Sequence, residues 1–538
     1  MSLKKLFSWN NCLSVVVFLT GVLTCQYTGN RGLFPVDSFS HFDSGYRILK
    51  GDHPFKDYWI VSGFFVDYLQ SVIFYIFGVN WQTYLLNASL LNGTVALLVY
   101  FLFNNLGLNF KLSFFYAICF SILAYPSSGT PFVDHHSTFL SIIAIILLIK
   151  SFKTNKLSLW FLVPVFLFLA FLSKQVPASY IFFATLFLTF LHLLHQEKKE
   201  LIKILLILFV SSIILIFLFL IFLQINKIDF KDFITQYFYY PGVIGEERYI
   251  SIKYDFKNTF LNFKFIYISL FFLFFFTFKN LKNGKMKDYY KYLNFKILLI
   301  CALTFLTLAH HIIFTKNQIF IFFLIPLILG FAHIELNRIK INYKNYLNLF
   351  LILFCIGMTF KYHFRYNIDR KFHELNNVKF SHAFEAKNLN NKFSGLKWIT
   401  KNSYNSEKIE EEIELLNNFQ KILDLDKSNK IVLTNYSFFS VLSEENVSGF
   451  SRWYPGDNSG FPMKVWWNKG KESKYTQNYE DLITSIFRKR KIKSVYILPD
   501  INEKNLLEYV DLKCFNKIEL KYKIIKFEVN DYCKKLLK

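Results

Sequence analysis

Long apolar runs follow one another over the first two thirds of the chain, with polar segments between them. A helix needs about 17–25 apolar residues to cross a bilayer. Eleven runs meet or approach that length, at 12–28, 82–103, 112–126, 138–152, 158–173, 177–194, 202–225, 265–279, 297–312, 319–335 and 347–362. The pattern predicts a polytopic α-helical membrane protein in which residues 1–362 form a module of about eleven transmembrane helices.

The spacing of apolar positions changes after residue 362. Residues 407–426 carry apolar side chains at helical spacing, which predicts an amphipathic helix. Residues 431–433 and 494–498 are short apolar runs that end in turn residues, as buried strands do. Together these elements predict a small α/β domain over residues 363–538.

Lysine and arginine are concentrated in alternate loops between the apolar runs. With the N-terminus in the cytoplasm, the predicted inner loops hold 18 of these residues and the three short outer loops hold 2. Such an excess is typical of cytoplasmic loops. The long outer loops 29–81 and 226–264 hold 10 more, but at lower density. We therefore expect a multi-pass protein of the inner (plasma) membrane with a cytoplasmic N-terminus and an extracytoplasmic C-terminal domain.

Composition agrees with a protein that lies largely in lipid. Apolar residues make up 53% of the chain and charged residues 19%, and the net charge is +24. This apolar content excludes a disordered chain and a fibrous repeat. In a soluble protein the positive charge would suggest nucleic-acid binding. Here many of the basic residues lie between apolar runs, so membrane topology explains them and no nucleic-acid partner is expected.

Residues 63–80 form an apolar run that would be a twelfth span. Counting it would reverse the orientation of everything that follows and would place the most basic loop, near 279–290, outside. We interpret the run as an amphipathic helix at the outer membrane interface, with Asp67 and Gln70 on its polar side.

Acidic residues are concentrated in the first outer loop. Between residues 37 and 67 the chain has five aspartates and no glutamate, at Asp37, Asp43, Asp52, Asp57 and Asp67. Acidic outer loops partly follow from the basic character of the inner ones. The accompanying Gly, His and Tyr residues also suit a binding site, which is the interpretation we favour.

The seven cysteines carry no CxxC motif and no metal-ligand spacing. Five lie in or beside apolar runs, where cysteine behaves as a small apolar side chain. Cys514 and Cys533 lie in the C-terminal domain and could form a disulfide if that domain is extracytoplasmic.

Short motifs on the predicted outer side follow one another in a recognisable order. The first outer loop contains Pro35–Ser38 (PVDS), Tyr46–Gly51 (YRILKG) and Pro54–Trp59 (PFKDYW). Phe77-Gly78 ends the interfacial helix, Asp134 lies in the second outer loop, and Ser173-Lys174-Gln175 ends a later run. Over about residues 10–335 this order resembles the GT-C class of integral-membrane glycosyltransferases, in the branch around protein O-mannosyltransferases and aminoarabinose transferases of lipid A. Ser38 departs from the Glu that the family often has there.

The resemblance implies a membrane glycosyltransferase whose donor is a sugar linked to polyprenyl phosphate and whose acceptor is an envelope lipid, glycan or protein. Such a reaction needs a base for the acceptor hydroxyl and cations for the leaving phosphate. The resemblance and this chemistry suggest Asp37 as the base with Asp134 as its partner. The candidate substrate contacts are Asp43, Lys174, Gln175, Arg248 and Lys316.

Each candidate also has a structural interpretation. Asp37 could be solvated or cap a helix, and Asp43 could share a metal with Asp37 or face water. Asp134 with His135 and His136 could bind a metal, or the histidines could be polar anchors at a span start. Lys174 could extend towards the membrane surface. The cofactor is unknown, and a divalent metal at Asp37, Asp43 or Asp134 is possible but not required.

Two other functions are compatible with a polytopic envelope protein. A transporter or flippase for lipid-linked sugars should have inverted repeats and polar residues near the bilayer midplane. The sequence has no evident repeat and few charges within its apolar runs. A non-catalytic subunit of an envelope complex would leave the outer aspartates unexplained. The glycosyltransferase interpretation is therefore favoured, with sugar and acceptor undefined.

Overall fold

The structure is a computed structural model that describes residues 9–125, 128–250, 252, 255–283, 286–315, 321–376, 378–403, 405–455, 459–463 and 473–530. Contacts divide the chain into two compact units. Unit 1 comprises Met1–Gly29, Leu85–Phe219 and Arg248–Asn376. Unit 2 comprises Asn30–Tyr84, Leu220–Glu247 and Asn377–Lys538.

Each of the eleven predicted runs forms a helix. The helices are Trp9–Gly29, Trp81–Asn105, Phe110–Ala124, Val133–Thr154, Leu157–Ser173, Gln175–Leu193, Lys198–Ile225, Lys264–Asn283, Met286–His310, Leu324–Arg338 and Lys344–His363. Among the described residues, eight helical segments are long and apolar enough to cross a membrane. The other three predicted runs form the shorter helices Phe110–Ala124, Leu157–Ser173 and Leu324–Arg338. The prediction of a polytopic helical protein is confirmed.

Within unit 1, two glycines allow a close crossing of helices Trp9–Gly29 and Trp81–Asn105. A Cβ atom placed on Gly21 would lie 2.8 Å from the Cα atom of Gly93. Beside the crossing, Asn92 Nδ2 donates hydrogen bonds to the carbonyl oxygens of Gly21 at 2.8 Å and Ser121 at 3.1 Å. Small residues and buried amides of this kind hold membrane helices together where burial of apolar surface drives little association.

A second polar contact in unit 1 joins three helices through Glu335, whose side chain is completely buried. Asn280 Nδ2 donates to Glu335 Oε2 at 3.0 Å. The ammonium of Lys296, also completely buried, lies 3.5 Å from Glu335 Oε1. Arg338 Nη1 donates to the same oxygen at 3.4 Å. The charges of Lys296 and Glu335 therefore compensate each other inside the helix bundle.

The C-terminal part of unit 2 contains a four-stranded sheet. Its strands in spatial order are Lys430–Leu433, Ser494–Ile497, Ile525–Val529 and Phe515–Glu519. The first pair is parallel and the other two pairs are antiparallel. The accompanying helices include Ser406–Leu425, Phe439–Ser443, Thr476–Arg490 and Lys504–Leu507. The predicted α/β character of this region is confirmed.

The amphipathic helix predicted at 407–426 packs as its pattern indicates. It extends over Ser406–Leu425 and buries Ile409, Ile413, Leu416, Phe419 and Leu423. The side chain of Asn405 caps its first turn by accepting a hydrogen bond from the backbone amide of Lys408 at 2.9 Å.

The predicted first outer loop also belongs to unit 2. It forms the short helices Pro35–Ser38, Ser40–Leu49 and Phe64–Phe77. Trp59 pairs with the C-terminal region as a strand would: its amide donates to the carbonyl of Phe450 at 2.8 Å, and its carbonyl accepts from the amide of Arg452 at 3.1 Å. Its indole joins the core between the sheet and helix Thr476–Arg490.

The amphipathic helix predicted at 63–80 is present as Phe64–Phe77. Asp67 and Gln70 are fully buried on one side, whereas Tyr75, Ile76 and Phe77 are exposed on the other. The apolar residues Phe64, Val66, Ile73 and Phe74 are buried with them, so the helix packs on protein through one side and exposes apolar residues mainly at its C-terminal end. Gly78 ends the helix with a φ angle of 83°, which favours glycine.

Cys514 is disulfide-bonded. Cys533, its predicted partner, lies outside the described residues. The predicted boundary near residue 363 separates residues in the membrane from residues outside it. The two compact units are defined by contacts between residues, so they do not test that boundary, and it stays a prediction.

Candidate functional site

Three helix ends in unit 1 bring Asp134, Lys174 and His310 together. Asp134 lies in the first turn of helix Val133–Thr154, where a negative charge is favoured by the helix dipole. Lys174 has an extended backbone between helices Leu157–Ser173 and Gln175–Leu193. His310 is the last residue of helix Met286–His310. Under the predicted orientation, these three ends are on the outer side of the membrane.

The three side chains form a compact hydrogen-bonded group. Lys174 Nζ donates to both carboxylate oxygens of Asp134 at 2.8 Å. His310 Nε2 lies 2.8 Å from Asp134 Oδ1. The Asp134 side chain is 5% exposed and that of Lys174 is 19% exposed, so the lysine forms the accessible side of the pair. Ser137 Oγ fixes the backbone of Lys174 by donating to its carbonyl at 3.2 Å.

Further basic groups surround this pair. His311 is close enough to Asp134, and Arg248 close enough to His310, for electrostatic interaction. His311 begins a π-helical turn, His311–Thr315, and its Nδ1 is 2.9 Å from Thr315 Oγ1. Such turns occur often at functional sites because they redirect side chains at a helix end. Three basic side chains around one carboxylate, with Arg248 beside one of them, suit an anion such as a phosphate.

The other predicted substrate contacts of this region have different positions. Gln175 begins helix Gln175–Leu193 directly after Lys174 and is half-buried. Arg248 is half-buried near the end of helix Tyr240–Ile250. Lys316 lies outside the described residues.

The two histidines after Asp134 serve as anchors. His136 Nε2 is 2.8 Å from Asn87 Oδ1, and its Nδ1 is 3.1 Å from the Tyr125 hydroxyl. His135 stacks on Tyr125 with ring centroids 4.3 Å apart. Among the described residues no group of three or more His, Cys, Asp or Glu side chains is placed to hold a metal ion. The oxygens of Asp134 face an ammonium, which disfavours a cation there, and no step of the proposed chemistry uses a metal.

Asp37, the predicted base, belongs to unit 2. It is the third residue of the short helix Pro35–Ser38, which begins with Pro35 as first-turn prolines often do. The helix is capped by Phe34 without a side-chain hydrogen bond, so the suggestion that Asp37 caps a helix is wrong. Asp37 is half-buried.

Asp43 is buried, so the suggestion that it faces water is wrong. Its side chain is 5% exposed and lies 4.0 Å from Arg47 Nη1, one turn along helix Ser40–Leu49. Ser448 Oγ donates to its carboxylate at 2.5 Å. Burial raises the pKa of Asp43 to about 6, against the opposing effects of Arg47 and Ser448.

Two further aspartates of the loop bind basic residues of the C-terminal region. Asp52 pairs with Arg490 and also accepts a hydrogen bond from Asn446 Nδ2 at 2.6 Å. Asp57 pairs with Lys489. Although burial acts to raise the pKa of Asp57, its hydrogen bonds with Lys489 and the amide of His53 hold that pKa below its usual value. These two aspartates attach the loop to the rest of unit 2.

Asp67 has a more elaborate environment. Its Oδ1 is 2.5 Å from His41 Nδ1, and its Oδ2 accepts from Arg452 Nη1 at 2.8 Å. Arg452 also donates to the carbonyl of Ser62 at 2.6 Å, which fixes the guanidinium. All three side chains of this group are at most 5% exposed.

The chain is similar in structure to ArnT from Cupriavidus metallidurans. Against the crystal structure of ArnT bound to undecaprenyl phosphate, the TM-score is 0.49 at 10% identity, with 95% of this chain and 97% of that chain covered. Against the apo state the TM-score is 0.46 at 11% identity, with the same coverage. No family model matches the sequence, and no curated protein matches it.

Sequence reasoning missed several residues of these two groups. His310 was visible only as one of two adjacent histidines at the end of an apolar run, although that position matches the outer ends that carry Asp134 and Lys174. Arg452, Lys489 and Arg490 gave no signal, because nearly four hundred residues or more separate them from the aspartates that they bind.

Proposed function

We propose that this protein is a membrane glycosyltransferase that moves a sugar from a polyprenyl-phosphate donor to an acceptor of the cell envelope on the outer face of the inner membrane. The observation that carries the proposal is the basic group around Asp134. The arrangement of apolar helices and the resemblance of the outer motifs support the same function.

Lys174 is the proposed contact to the donor phosphate. Its ammonium has three N–H donors, and Asp134 holds it from one side through both carboxylate oxygens. The Lys174 side chain is 19% exposed, so the lysine is the accessible member of the pair. As the bond between sugar and phosphate breaks, negative charge grows on the phosphate, and a fixed cation stabilises it.

The neighbouring groups add to this effect. His310 Nε2 lies 2.8 Å from Asp134 Oδ1, which Lys174 also binds, and Arg248 adds positive charge near His310. Gln175 is proposed as a further polar contact to the donor because it directly follows Lys174 in the sequence. Lys316 is proposed as another because it follows the predicted span 297–312 in the sequence.

Asp37 is proposed to act on the acceptor side of the reaction, near the sugar. A hydroxyl is a poor nucleophile until its proton is removed, and a carboxylate also stabilises positive charge that develops on the sugar ring. The proposal extends to any envelope hydroxyl acceptor, whether lipid, glycan or protein.

The proposal is tested by transfer in membrane vesicles that contain the endogenous acceptors. Undecaprenyl-phosphate donors carrying labelled hexoses or pentoses are supplied, and labelled envelope products are measured. Lys174→Met should lower the transfer rate by about 100-fold or more, since one lost contact to developing charge costs about that much. Lys156→Met is the matched control, because Lys156 lies exposed at the other end of helix Leu157–Ser173.

The double variant Asp134→Asn/Lys174→Gln guards against misfolding. It replaces the charged pair by two neutral groups that can still hydrogen-bond, so the fold should persist while transfer is lost. If the wild type transfers no sugar from any of these donors but moves them across the bilayer, the protein is a transporter. If Lys174→Met transfers as fast as Lys156→Met, the proposed role of the basic group is wrong.

A further inference from the structure

A buried histidine in unit 2 is held in the manner of an acid–base residue. His41 is 4% exposed, and its Nδ1 lies 2.5 Å from Oδ1 of Asp67. The second oxygen of Asp67 is bound by Arg452. Among the described residues the structure records no hydrogen bond at His41 Nε2. Nδ1 is thus held by a carboxylate, whereas Nε2 takes part in no hydrogen bond recorded among the described residues.

The electrostatic environment determines where the proton of His41 lies. Burial acts to raise the pKa of Asp67, but Arg452 and His41 hold it below the usual value, so Asp67 is a carboxylate. A carboxylate only accepts hydrogen bonds, so His41 Nδ1 must carry the proton. Burial lowers the pKa of His41, against the opposing effect of Asp67, so the ring is neutral near pH 7. His41 Nε2 therefore presents a lone pair.

His41 is placed close to Asp37 by the chain. The helix Pro35–Ser38 and the helix Ser40–Leu49 are joined only by Phe39, which also has helical backbone angles. Asp37 and His41 are therefore about one turn apart, the spacing at which side chains of a continuous helix are neighbours. In agreement, the Tyr84 hydroxyl lies within electrostatic range of Asp37, Asp67 and Arg452 together.

We infer that His41 accepts the proton of the acceptor hydroxyl, with Asp67 and Arg452 as the residues that position it. The inference rests on the proposed glycosyl transfer and refines it. Asp37 is then left to stabilise positive charge on the sugar, which a half-buried carboxylate one turn away is suited to do.

The step balances with the groups already named. The acceptor oxygen forms a bond to the anomeric carbon and gives its proton to His41 Nε2. The bond between that carbon and the phosphate oxygen breaks, and the lipid phosphate leaves with the electron pair. The resulting imidazolium is stabilised by Asp67 and later loses its proton to water.

The other histidine of the loop provides a matched control. His53 Nδ1 is 2.8 Å from the Tyr68 hydroxyl, and the ring is stacked on that tyrosine. It shares the loop with His41 but is paired with a phenol instead of a carboxylate. Because His41 is 4% exposed and His53 is half-buried, a purely structural role for His41 would appear as a loss of thermal stability and not as a loss of rate per folded molecule.

The test compares His41→Asn with His53→Asn in the vesicle transfer assay. In His41→Asn the amide nitrogen of the new side chain can replace Nδ1 and keep the bond to Asp67, but nothing replaces Nε2. His41→Asn should keep the thermal stability of the wild type and lower the maximal transfer rate by about 100-fold or more, as loss of a general base does. His53→Asn should leave the rate nearly unchanged.

The pH dependence separates His41 from Asp37. The charged groups that act on His41 are Asp67 and Arg452, and their net effect with burial is a pKa below 6.5. Transfer by the wild type should fall as pH drops below about that value. His41→Asn should lose this dependence on pH, whereas Asp37→Asn should transfer slowly but keep it. Asp67→Asn, which permits the other tautomer, should lower the rate while Asp67→Glu restores part of it.

Four outcomes overturn the inference. Wild-type rates in His41→Asn, or an unchanged acidic limb in that variant, reject the proton-accepting role while transfer dependent on Lys174 keeps the proposed function intact. A large loss of thermal stability in both His41→Asn and His41→Gln, with transfer per folded molecule unchanged, shows a structural role only. Absence of transfer by the wild type overturns both proposals together.

Discussion

Single aspartates of one loop differ in function because their neighbours differ. Asp52 and Asp57 meet the basic residues Arg490 and Lys489 and attach the loop. Asp67 orients a histidine, and Asp43 is buried against a serine hydroxyl. In the sequence the five aspartates of the loop look alike. Only the residues that the fold brings next to each one show whether it holds the loop in place or orients a candidate catalytic residue.

Asp43 should make the stability of the protein depend on pH. Its pKa is raised to about 6 by burial, so the charged form is disfavoured in the folded protein. Stability is therefore greatest while the group is protonated, and it falls as pH rises from about 4 through about 6. Asp43→Asn removes this loss, so its stability relative to the wild type should improve by about 1–3 kcal/mol between pH 4 and pH 7.

Thermal unfolding in detergent at several pH values measures this change. Asp255→Asn is a suitable control, since Asp255 is exposed and asparagine caps a helix equally well. A constant difference between Asp43→Asn and the wild type across this pH range would contradict the prediction.

The proximity of Asp134 and Lys174 shows what sequence could predict about the site. Both lie at predicted outer ends of apolar runs, so their side of the membrane followed from parity and charge alone. Their direct pairing and the arrival of His310 depend on which helix ends are neighbours. Hydrophobic pattern carries no information on that arrangement, because every lipid-facing helix has a similar pattern.

At the scale of helices, a glycine can allow two helices to approach more closely than any residue with a side chain would. Gly93 meets helix Trp9–Gly29 so closely that an added Cβ would lie 2.8 Å from the Phe18 carbonyl oxygen. Gly357, within helix Lys344–His363, has no atom within 4 Å of such a Cβ. Gly93→Ala should therefore lower the unfolding temperature, whereas Gly357→Ala should leave it unchanged or raise it slightly, since alanine favours helices. Equal effects of the two variants would be incompatible with the close crossing.

The buried pair of Lys296 and Glu335 joins helices through charge instead of shape. Glu335→Leu leaves the Lys296 ammonium uncompensated where its side chain is completely buried, which typically costs about 3–5 kcal/mol. The double variant Lys296→Met/Glu335→Leu should recover most of that loss, because no charge is then left buried. Urea or heat unfolding of the wild type and the two variants measures the recovery, and a double variant as unstable as the single one would refute the compensation.

Elements were easier to predict than their lengths. Eleven apolar runs gave eleven helices because the bilayer demands both apolar side chains and internally bonded backbone. The short helix Leu324–Arg338 keeps Glu335 and His333 buried, which no hydropathy pattern would suggest. The run at 63–80 was recognisable as an amphipathic helix because its aspartate and glutamine lie on one face, and its place at the membrane interface stays a prediction.

At the scale of the whole molecule, the side of the membrane on which the C-terminal region lies determines whether the proposed chemistry is possible. The proposed reaction uses its donor sugar on the outer face, so the proposal requires this region to be extracytoplasmic. The disulfide at Cys514 agrees, since disulfides persist in oxidising compartments and are rare in the cytosol.

Thiol labelling in intact cells tests this topology. Leu425→Cys places a thiol at an 81% exposed position of the C-terminal region, and a membrane-impermeant maleimide should label it from outside. Cys12 is the internal control, because it is exposed at the predicted cytoplasmic end of the first helix and should react only after the membrane is opened. A Cys12→Ser variant distinguishes the two signals. Labelling of Leu425→Cys that requires opened membranes would place the C-terminal region, and with it Arg452 and the loop that Arg452 binds, on the side where no polyprenyl-phosphate sugar of the proposed kind is presented.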